Sequence, residues 1–331
     1  MIVKEREKPI LLEHLEALIR RLHHDQQKRR HVLEDYNKKL SGYKGELAIN
    51  YPLSFLREDQ YFILHDVRLF DGCHFFQMDT LIVSKKFFLI IEVKNIAGTL
   101  TFDSDSHQLV RTTEEKEEAF PHPVNQVLRH RMQLKNWLDN NDCPSIPIET
   151  LVVIANERSI IKTANQHTFP KQVIPAYMIP NKIFELEKKY SNEKIDELDM
   201  IIGALLEDHV PLTPNPLKKY QIQPSLDLVK GVQCPSCLKF PMNRIHGKWL
   251  CMKCEVKSEN AHLLALKDYS LLIHSTISNK EAREYLHVLS HDVVKRLFQT
   301  IGLETVGMNK GRKYKLSIGV LNSLLEKGRS T

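Results

Sequence analysis

Phe76-Gln77-Met78-Asp79-Thr80-Leu81-Ile82-Val83-Ser84-Lys85-Lys86-Phe87-Phe88-Leu89-Ile90-Ile91-Glu92-Val93-Lys94-Asn95 decides the fold. Two short apolar runs flank Ser84-Lys85-Lys86, the pattern of a β-hairpin. With Lys85-Lys86 as the turn, Ser84 faces Phe87 and Asp79 falls directly opposite Glu92. Opposed residues share a face, with Cβ atoms about 5 Å apart. Lys94, two residues beyond Glu92, points to the same face. Two carboxylates and an ammonium therefore converge at the end of a greasy hairpin. Adjacent carboxylates repel, and a divalent cation relieves that repulsion. A one-residue slip would put Asp79 opposite Ile91 and dismantle the arrangement.

Around the hairpin, residues 61–71, 99–102 and 151–154 read as strands, and 123–138 and 195–207 as helices. The polar, acidic residues 104–118 read as a surface turn region. Upstream, residues 9–40 read as an amphipathic helical segment packing on the main domain, with Leu11, Leu15, Leu18, Ile19 and Leu22 on one face and Arg and His residues opposite. Ser41-Gly42-Tyr43-Lys44-Gly45 reads as a break after which Glu46 opens the next helix, in a first turn that favours a carboxylate. Pro52 requires that helix to be short or kinked. The order is that of an α/β core with a mixed central sheet flanked by helices. Three prolines between 211 and 216 mark a linker. The expected domains are an N-terminal helical segment (1–40), the α/β core (41–208), a Pro-rich linker (209–229), a cysteine segment (230–257) and a helical module (258–331).

The 331 residues, 42% hydrophobic and 27% charged, suit a globular protein of two or three domains. A net charge of +6 permits nucleic-acid binding without demanding it. No apolar run approaches a membrane span, and the first residues lack a signal-peptide core, which together imply a cytoplasmic protein without a membrane partner.

Phosphodiester hydrolysis needs a metal to neutralise charge on the phosphate and to acidify the attacking water. Hard oxygen ligands suit Mg²⁺ or Mn²⁺, and Asp79, Glu92 and the Val93 carbonyl can supply them. Lys94 can hold the water or stabilise the pentavalent phosphate. On Gly45-Glu46, Gln77-Met78-Asp79, Ile91-Glu92-Val93-Lys94-Asn95 and Pro123-Val124-Asn125-Gln126, residues 40–155 resemble the PD-(D/E)xK nuclease superfamily, and more closely its nuclease-related domain family. The resemblance implies a restriction-endonuclease-like core, metal-dependent DNA cleavage in processing, repair or defence, and a catalytic set of Asp79, Glu92 and Lys94 supported by Glu46 and Gln126. Related nucleases carry Gln-x-x-x-Tyr on the later helix, whereas this chain has His130 in place of the tyrosine. Gln126, Arg129, His130 and Gln133 share a helix face by spacing, which makes Arg129 and His130 candidates for phosphate contact. The bland alternative for each charge is a strand-end salt bridge or a helix-end residue. For the chain as a whole, the alternative to a nuclease is a catalytically inactive nucleic-acid-binding or adaptor protein that retains the fold.

Cys234-Pro235-Ser236-Cys237 and Cys251-Met252-Lys253-Cys254, thirteen residues apart, are two knuckles that complete an S₄ shell for a structural Zn²⁺. The residues between them read as a hairpin turning at Gly247, hence a small zinc ribbon. A redox dithiol is the rival, but it would normally use one such pair. Farther on, residues 263–274 read as a helix, Asn279 caps a second over 280–286, and Ser290 caps a third over 291–301 that Gly302 ends. A basic turn with Lys310, Arg312, Lys313 and Lys315 follows. This order matches either a winged helix-turn-helix or an ordinary helical bundle with a basic loop. In the winged-helix case Lys295, Arg296 and the basic turn would contact nucleic acid, most simply DNA, although nothing in the chain separates DNA from RNA. The chain has no Gly-rich phosphate loop, so any ATP-driven step belongs to a helicase or other DNA-processing partner. The N-terminal helix offers a surface for a homodimer.

Overall fold

The computed structural model describes residues 1–23, 26–164 and 170–327, apart from the side chains of Gln26 and Lys310. They group into two compact units, Met1–Lys8 with Lys38–Thr213 and Pro9–Asn37 with Pro214–Thr331. After a short first strand come two helices, α1 (Ile10–Arg21) and α2 (Gln26–Ala48). Helix α1 lies in the second unit, and α2 runs from the second unit into the first.

In the first unit, strands β1 (Ile2–Lys4), β2 (Tyr61–Phe70), β3 (Phe75–Ser84), β4 (Phe88–Lys94), β8 (Ile148–Ile154) and β10 (Val173–Pro175) form a mixed sheet in the order β1-β2-β3-β4-β8-β10. A second sheet, β7-β6-β5-β9, contains β5 (Thr99–Asp103), β6 (Gln108–Thr112), β7 (Glu117–Pro121) and β9 (Ile160–Thr163). The short helix α3 (Asn50–Leu53), α4 (Pro123–Asn140), α5 (Ile179–Lys189) and α6 (Leu198–Glu207) complete the unit. Alternation along β4 decides which helix packs where. Phe88 and Ile90 join Trp137 of α4 and Ile201 of α6 in one core, while Leu89 and Ile91 join Leu53 of α3 and Ile183 of α5 in another. The sheet is thus buried on both faces, which explains its nearly unbroken apolar runs.

Three expectations need correction here. Residues 104–118 are not merely a turn, because β6 and the start of β7 lie there as strands. Leu109 of β6 is the buried anchor of that hairpin, and the polar residues around it lie on the exposed side. No break occurs at 41–45 either. Helix α2 continues to Ala48, so Glu46 stands in its last turn rather than in a first one, and Pro52 belongs to α3. The helical segment 9–40 is also two helices, of which α1 packs within the second unit rather than on the α/β core. Arg20 Nη2 and Arg21 Nε donate to Asp268 at 2.6 and 2.8 Å, with Arg21 fully buried. Leu15 and Leu18 pack with Leu271 and Leu272.

The second unit continues with single helical turns α7 (Pro216–Lys219) and α8 (Pro224–Asp227), then β11 (Asn243–Ile245), β12 (Lys248–Leu250) and β13 (Lys257–Ser258) in one small sheet. His246 and Gly247 both have positive φ, which a two-residue hairpin turn requires. The remainder runs α9 (Ala261–Leu272), β14 (Thr276–Ile277), α10 (Asn279–Leu286), α11 (His291–Ile301), β15 (Thr305–Val306), β16 (Lys313–Lys315) and α12 (Ile318–Lys327), with strand order β14-β16-β15. Three helices, a small antiparallel sheet and a loop between its last two strands make the winged-helix arrangement rather than a plain bundle. The cap of α10 is Ser278 in a capping box with Glu281, one residue before the expected Asn279. The ribbon shares a core with the helices, since Met242, Trp249 and Cys251 cluster with Leu266, Tyr285 and Phe298. Among the described residues no helix is long and apolar enough to cross a membrane.

Candidate functional site

The hairpin pairs Val83 with Phe88 and Thr80 with Ile91, the register expected from a Lys85-Lys86 turn. Extending that register by one pair sets Asp79 opposite Glu92. Neither lysine favours a hairpin turn, and Ser84 supplies what they lack. Its hydroxyl donates to the Phe87 carbonyl at 2.9 Å and accepts from the amides of Lys86 and Phe87.

Asp79 Oδ2 accepts from the Val93 amide at 2.9 Å. Lys94 Nζ donates to Glu92 Oε1 at 2.6 Å and to Gln126 Oε1 at 3.1 Å. The second carboxylate oxygen of Glu92 is out of solvent and has no hydrogen-bond partner, in a residue only 4% exposed. Such an orphan is costly unless something cationic meets it. Burial drives Asp79 well above the usual carboxylate range, and Glu92 and then Glu46 add to the rise, against the Val93 amide and Lys94. An unpaired buried acceptor beside a carboxylate that resists ionisation is a donor set that fits a hard divalent cation. Mg²⁺ takes only one or two carboxylates, so Asp79 and Glu92 suffice. Among the described residues, no set of three carboxylates closes to within 4.8 Å.

Gly45 explains how α2 reaches this place. A Cβ there would lie 2.3 Å from Cβ of Asn95, so the helix can approach the end of β4 only without a side chain. Asn95 Nδ2 in turn donates to the Ser41 carbonyl at 2.8 Å. Glu46 consequently arrives in a last helical turn, where the macrodipole disfavours a carboxylate. Burial and Asp66 push its pKa up, while Lys39 and Arg6 oppose that rise.

Arg6, which sequence reasoning missed, answers the conflict. Its side chain is 2% exposed and donates to Glu46 Oε2 at 3.2 Å, the Asp79 carbonyl at 3.2 Å, Thr80 Oγ1 at 2.8 Å and His65 Nδ1 at 2.8 Å. A guanidinium only donates, so His65 Nδ1 is the acceptor and the ring is neutral. Burial first, then Arg6 and Lys4, hold the His65 pKa down at about 3. No periodicity or motif singles out Arg6. The only available signal was an arginine shortly after an Ile-Val pair that forms the edge strand β1.

The α4 face expected to touch phosphates divides in two. Arg129 is exposed, whereas His130 is buried at 6% and lies against the Phe76 ring. Gln133 is also buried and donates to Asp71 Oδ2 at 2.9 Å. His130 is therefore a core residue and not a surface contact, because this side of α4 packs on β3 and β4. Burial lowers its pKa, which keeps the ring neutral.

All four sulfurs of Cys234, Cys237, Cys251 and Cys254 lie within 4.8 Å of one another, and two pairs stand 3.5 Å apart. Zn–S bonds of about 2.3 Å in a tetrahedron imply S···S spacings of about 3.8 Å, so the set fits zinc closely. Each knuckle closes alike. Leu238 and Glu255, the residues after the second cysteines, have positive φ and donate their amides to the Cys234 and Cys251 carbonyls. The Cys254 and Lys253 amides lower the Cys251 pKa to about 6, favouring the thiolate that a metal takes.

In the winged-helix portion, Lys295 and Arg296 of α11 are exposed, as are Arg312, Lys313 and Lys315. Lys315 lies 3.6 Å from Glu304. The side chain of Lys310 lies outside the described residues.

Comparison with known proteins agrees with the motifs. Residues 41–155 match the family model of the nuclease-related domain. An uncharacterised protein of Bacillus anthracis is 22% identical over 182 residues, covering 54% of this chain and 82% of that protein. No solved structure matches. Glu46, Asp79, Glu92, Lys94 and Gln126 all lie inside the segment that matches the nuclease-related domain.

Proposed function

We propose that the chain is a divalent-metal-dependent nuclease that hydrolyses phosphodiester bonds of DNA. The observation that carries this is the buried, partnerless Glu92 Oε2 beside Asp79, with Lys94 held against the same carboxylate. Asp79, Glu92 and the Val93 carbonyl would hold Mg²⁺ or Mn²⁺, which when bound neutralises phosphate charge and acidifies a water. Gln126 and Glu92 engage two of the three hydrogens of the Lys94 ammonium, which would leave the third for the reacting phosphate. The Val93 amide orients Asp79. Arg6 holds Glu46 and the Asp79 backbone in place. Zinc would serve the four cysteines as a structural ion, and a reducing, cytoplasmic setting keeps those thiols available. Duplex DNA is the favoured substrate because the winged-helix order presents α11 to a groove and its basic loop to phosphates. Arg129, Lys295, Arg296, Lys310, Arg312, Lys313 and Lys315 are the proposed contacts.

The test is cleavage of labelled single- and double-stranded DNA by the zinc-loaded full chain, with and without added Mg²⁺ or Mn²⁺. Lys94→Ala is expected to remove divalent-dependent cleavage while leaving the unfolding midpoint near that of the wild type. Equal cleavage by Lys94→Ala would sink the site assignment. The winged-helix arrangement of the second unit supports one alternative, a non-catalytic nucleic-acid-binding protein. Salt-sensitive DNA binding with no cleavage under any of these conditions would favour it.

A further inference from the structure

The edge of the first unit's main sheet that carries Lys94 also carries exposed aromatic rings that the proposed chemistry does not use. Ile49 keeps helical dihedrals between α2 and α3, so the two helices share one register. At about 100° per residue, Lys44 and Tyr51 lie within about 20° of each other, and both stand at least about 140° round the axis from Glu46, which turns to Arg6. Lys44, Leu47, Tyr51 and Phe55 are all exposed, Tyr51 at 74% and Phe55 at 62%. The rings of Tyr51 and Phe55 meet edge to face, with centroids 5.1 Å apart and planes at 83°. An edge contact covers at most one face of one ring, so broad ring faces stay open.

This stripe stands beside the candidate nuclease site. Gly45 seats α2 against Asn95, the neighbour of Lys94. Across the parallel strands β4, β8 and β10, Lys94 pairs with Ile154 and Ile154 with Pro175. Two strand spacings, about 10 Å, therefore separate Lys94 from Pro175. The single 3₁₀ turn Ala176–Met178 follows at once, and its Tyr177 is 75% exposed. Helix α3 packs on this turn, and Leu53 of α3 shares a core with Ile179 and Ile183. Tyr51 and Tyr177 are thus exposed on neighbouring elements at the Lys94 end of the sheet. The charge along this edge has one sign. Residues 36–57 hold a single acid, Glu46, which is buried on Arg6, and residues 158–184 hold none. Among the described residues Lys44 forms no salt bridge.

We propose that Tyr51, Phe55 and Tyr177, with Lys44, form a stacking platform for unpaired nucleotides, so that the strand presented to Asp79 and Glu92 is single-stranded DNA or the unpaired end of a duplex. The proposal rests on the reading of the first unit as a nuclease and names the substrate class of that site. Open rings beside an unpaired cation suit a single strand, whose bases stack on the rings while a phosphate meets the lysine. An apolar protein surface would strand the Lys44 charge without a counter-ion. The bases of an intact duplex stack on one another and offer the rings no face. DNA with a duplex portion and an unpaired tail would serve both this platform and the contacts proposed for the second unit.

The experiment is fluorescence anisotropy of a short labelled oligothymidine and of a blunt duplex, with the zinc-loaded full chain and no added Mg²⁺. Tyr51→Ala and Tyr177→Ala should each weaken oligothymidine binding about tenfold and leave duplex binding unchanged. Tyr51→Phe, which keeps the ring, should bind as the wild type does. Lys44→Gln should reduce the log–log salt slope for oligothymidine by about 0.7. Abasic sites in the oligonucleotide should weaken its binding to the wild type but not to the double variant of Tyr51→Ala and Tyr177→Ala. Both tyrosines are exposed, so unfolding midpoints should match the wild type, and Tyr177→Ala carries the test should Tyr51→Ala misfold. Oligothymidine binding unchanged in both alanine variants would overturn the platform, even in a protein that cleaves DNA with Mg²⁺. An equal loss for duplex and single strand would overturn it as well. A wild type that never cleaves yet shows these ring-dependent affinities would remove the nuclease reading and leave the platform standing.

Discussion

Replacing Arg6 by Met keeps the length of the side chain and removes every polar contact it makes. Glu46 Oε2 loses its partner at 3.2 Å, and Thr80, His65 and the Asp79 carbonyl lose a donor. Glu46 is 7% exposed and sits at the unfavourable end of a helix, so water cannot replace the guanidinium. Breaking a buried pair by removing one partner costs about 3–5 kcal/mol, and that is the loss expected for the first unit. Trp137 and Trp249 are the two tryptophans of the chain, one in each unit. In a Trp249→Phe background, urea unfolding followed by fluorescence therefore reports on Trp137 and the first unit alone. The pH dependence supplies a second signature. The folded pKa of Glu46 lies above its ordinary 4.5, so ionising it costs stability, and the cost appears as pH rises through the folded value. Without Arg6 the pKa rises further and the window widens. The deficit of Arg6→Met should be full above that window and shrink as pH falls through it, until well below 4.5 Glu46 is protonated in folded and unfolded chains alike. His65 works in the same direction, because losing the arginine lets its depressed pKa recover. A deficit under about 1 kcal/mol, or one independent of pH, would refute this account of Arg6.

The remaining predictions concern neighbouring features. Asp79→Asn should stabilise the divalent-free protein at neutral pH, since the raised folded pKa means that the ionised carboxylate costs stability there. The gain should vanish in acid, where Asp79 is protonated anyway, and a gain that persists at low pH would contradict the assignment. Gly45→Ala puts a Cβ 2.3 Å from Asn95 Cβ, which should cost about 1–3 kcal/mol in unfolding and lower any cleavage through displacement of Glu46. Cys237→Ser should remove zinc from the protein and lower the unfolding midpoint read at Trp249 while sparing the transition read at Trp137. Unchanged zinc stoichiometry would contradict the S₄ site.

Much of the first unit was legible because its key segment is short-range. The hairpin register follows from two apolar runs around Ser84-Lys85-Lys86, and the pairing of Thr80 with Ile91 agrees with it. The cysteine knuckles and the Ser290 and Gly302 ends of α11 were legible for the same reason. What escaped depends on distant partners. Gly45 looks like a helix break until Asn95 is seen against it. Arg6 and Glu46 are forty residues apart, and no local pattern joins them. Arg21 looks like a solvated residue of an amphipathic helix until Asp268 meets it in the core. The ribbon reads as a separate unit because the packing of Trp249 against α9 is invisible in the spacing of its cysteines. Strands β6 and β7 carry too few apolar residues to announce themselves, and pairing with β5 is what organises them.

The most direct measurement of the central claim is a Mn²⁺ titration of the zinc-loaded full chain by electron paramagnetic resonance, repeated with Asp79→Asn and Glu92→Gln. The account predicts a saturable Mn²⁺ site in the wild type that either substitution weakens severely, with the four-cysteine zinc unaffected. Mn²⁺ uptake that is identical in all three proteins, or absent from the wild type, would contradict it.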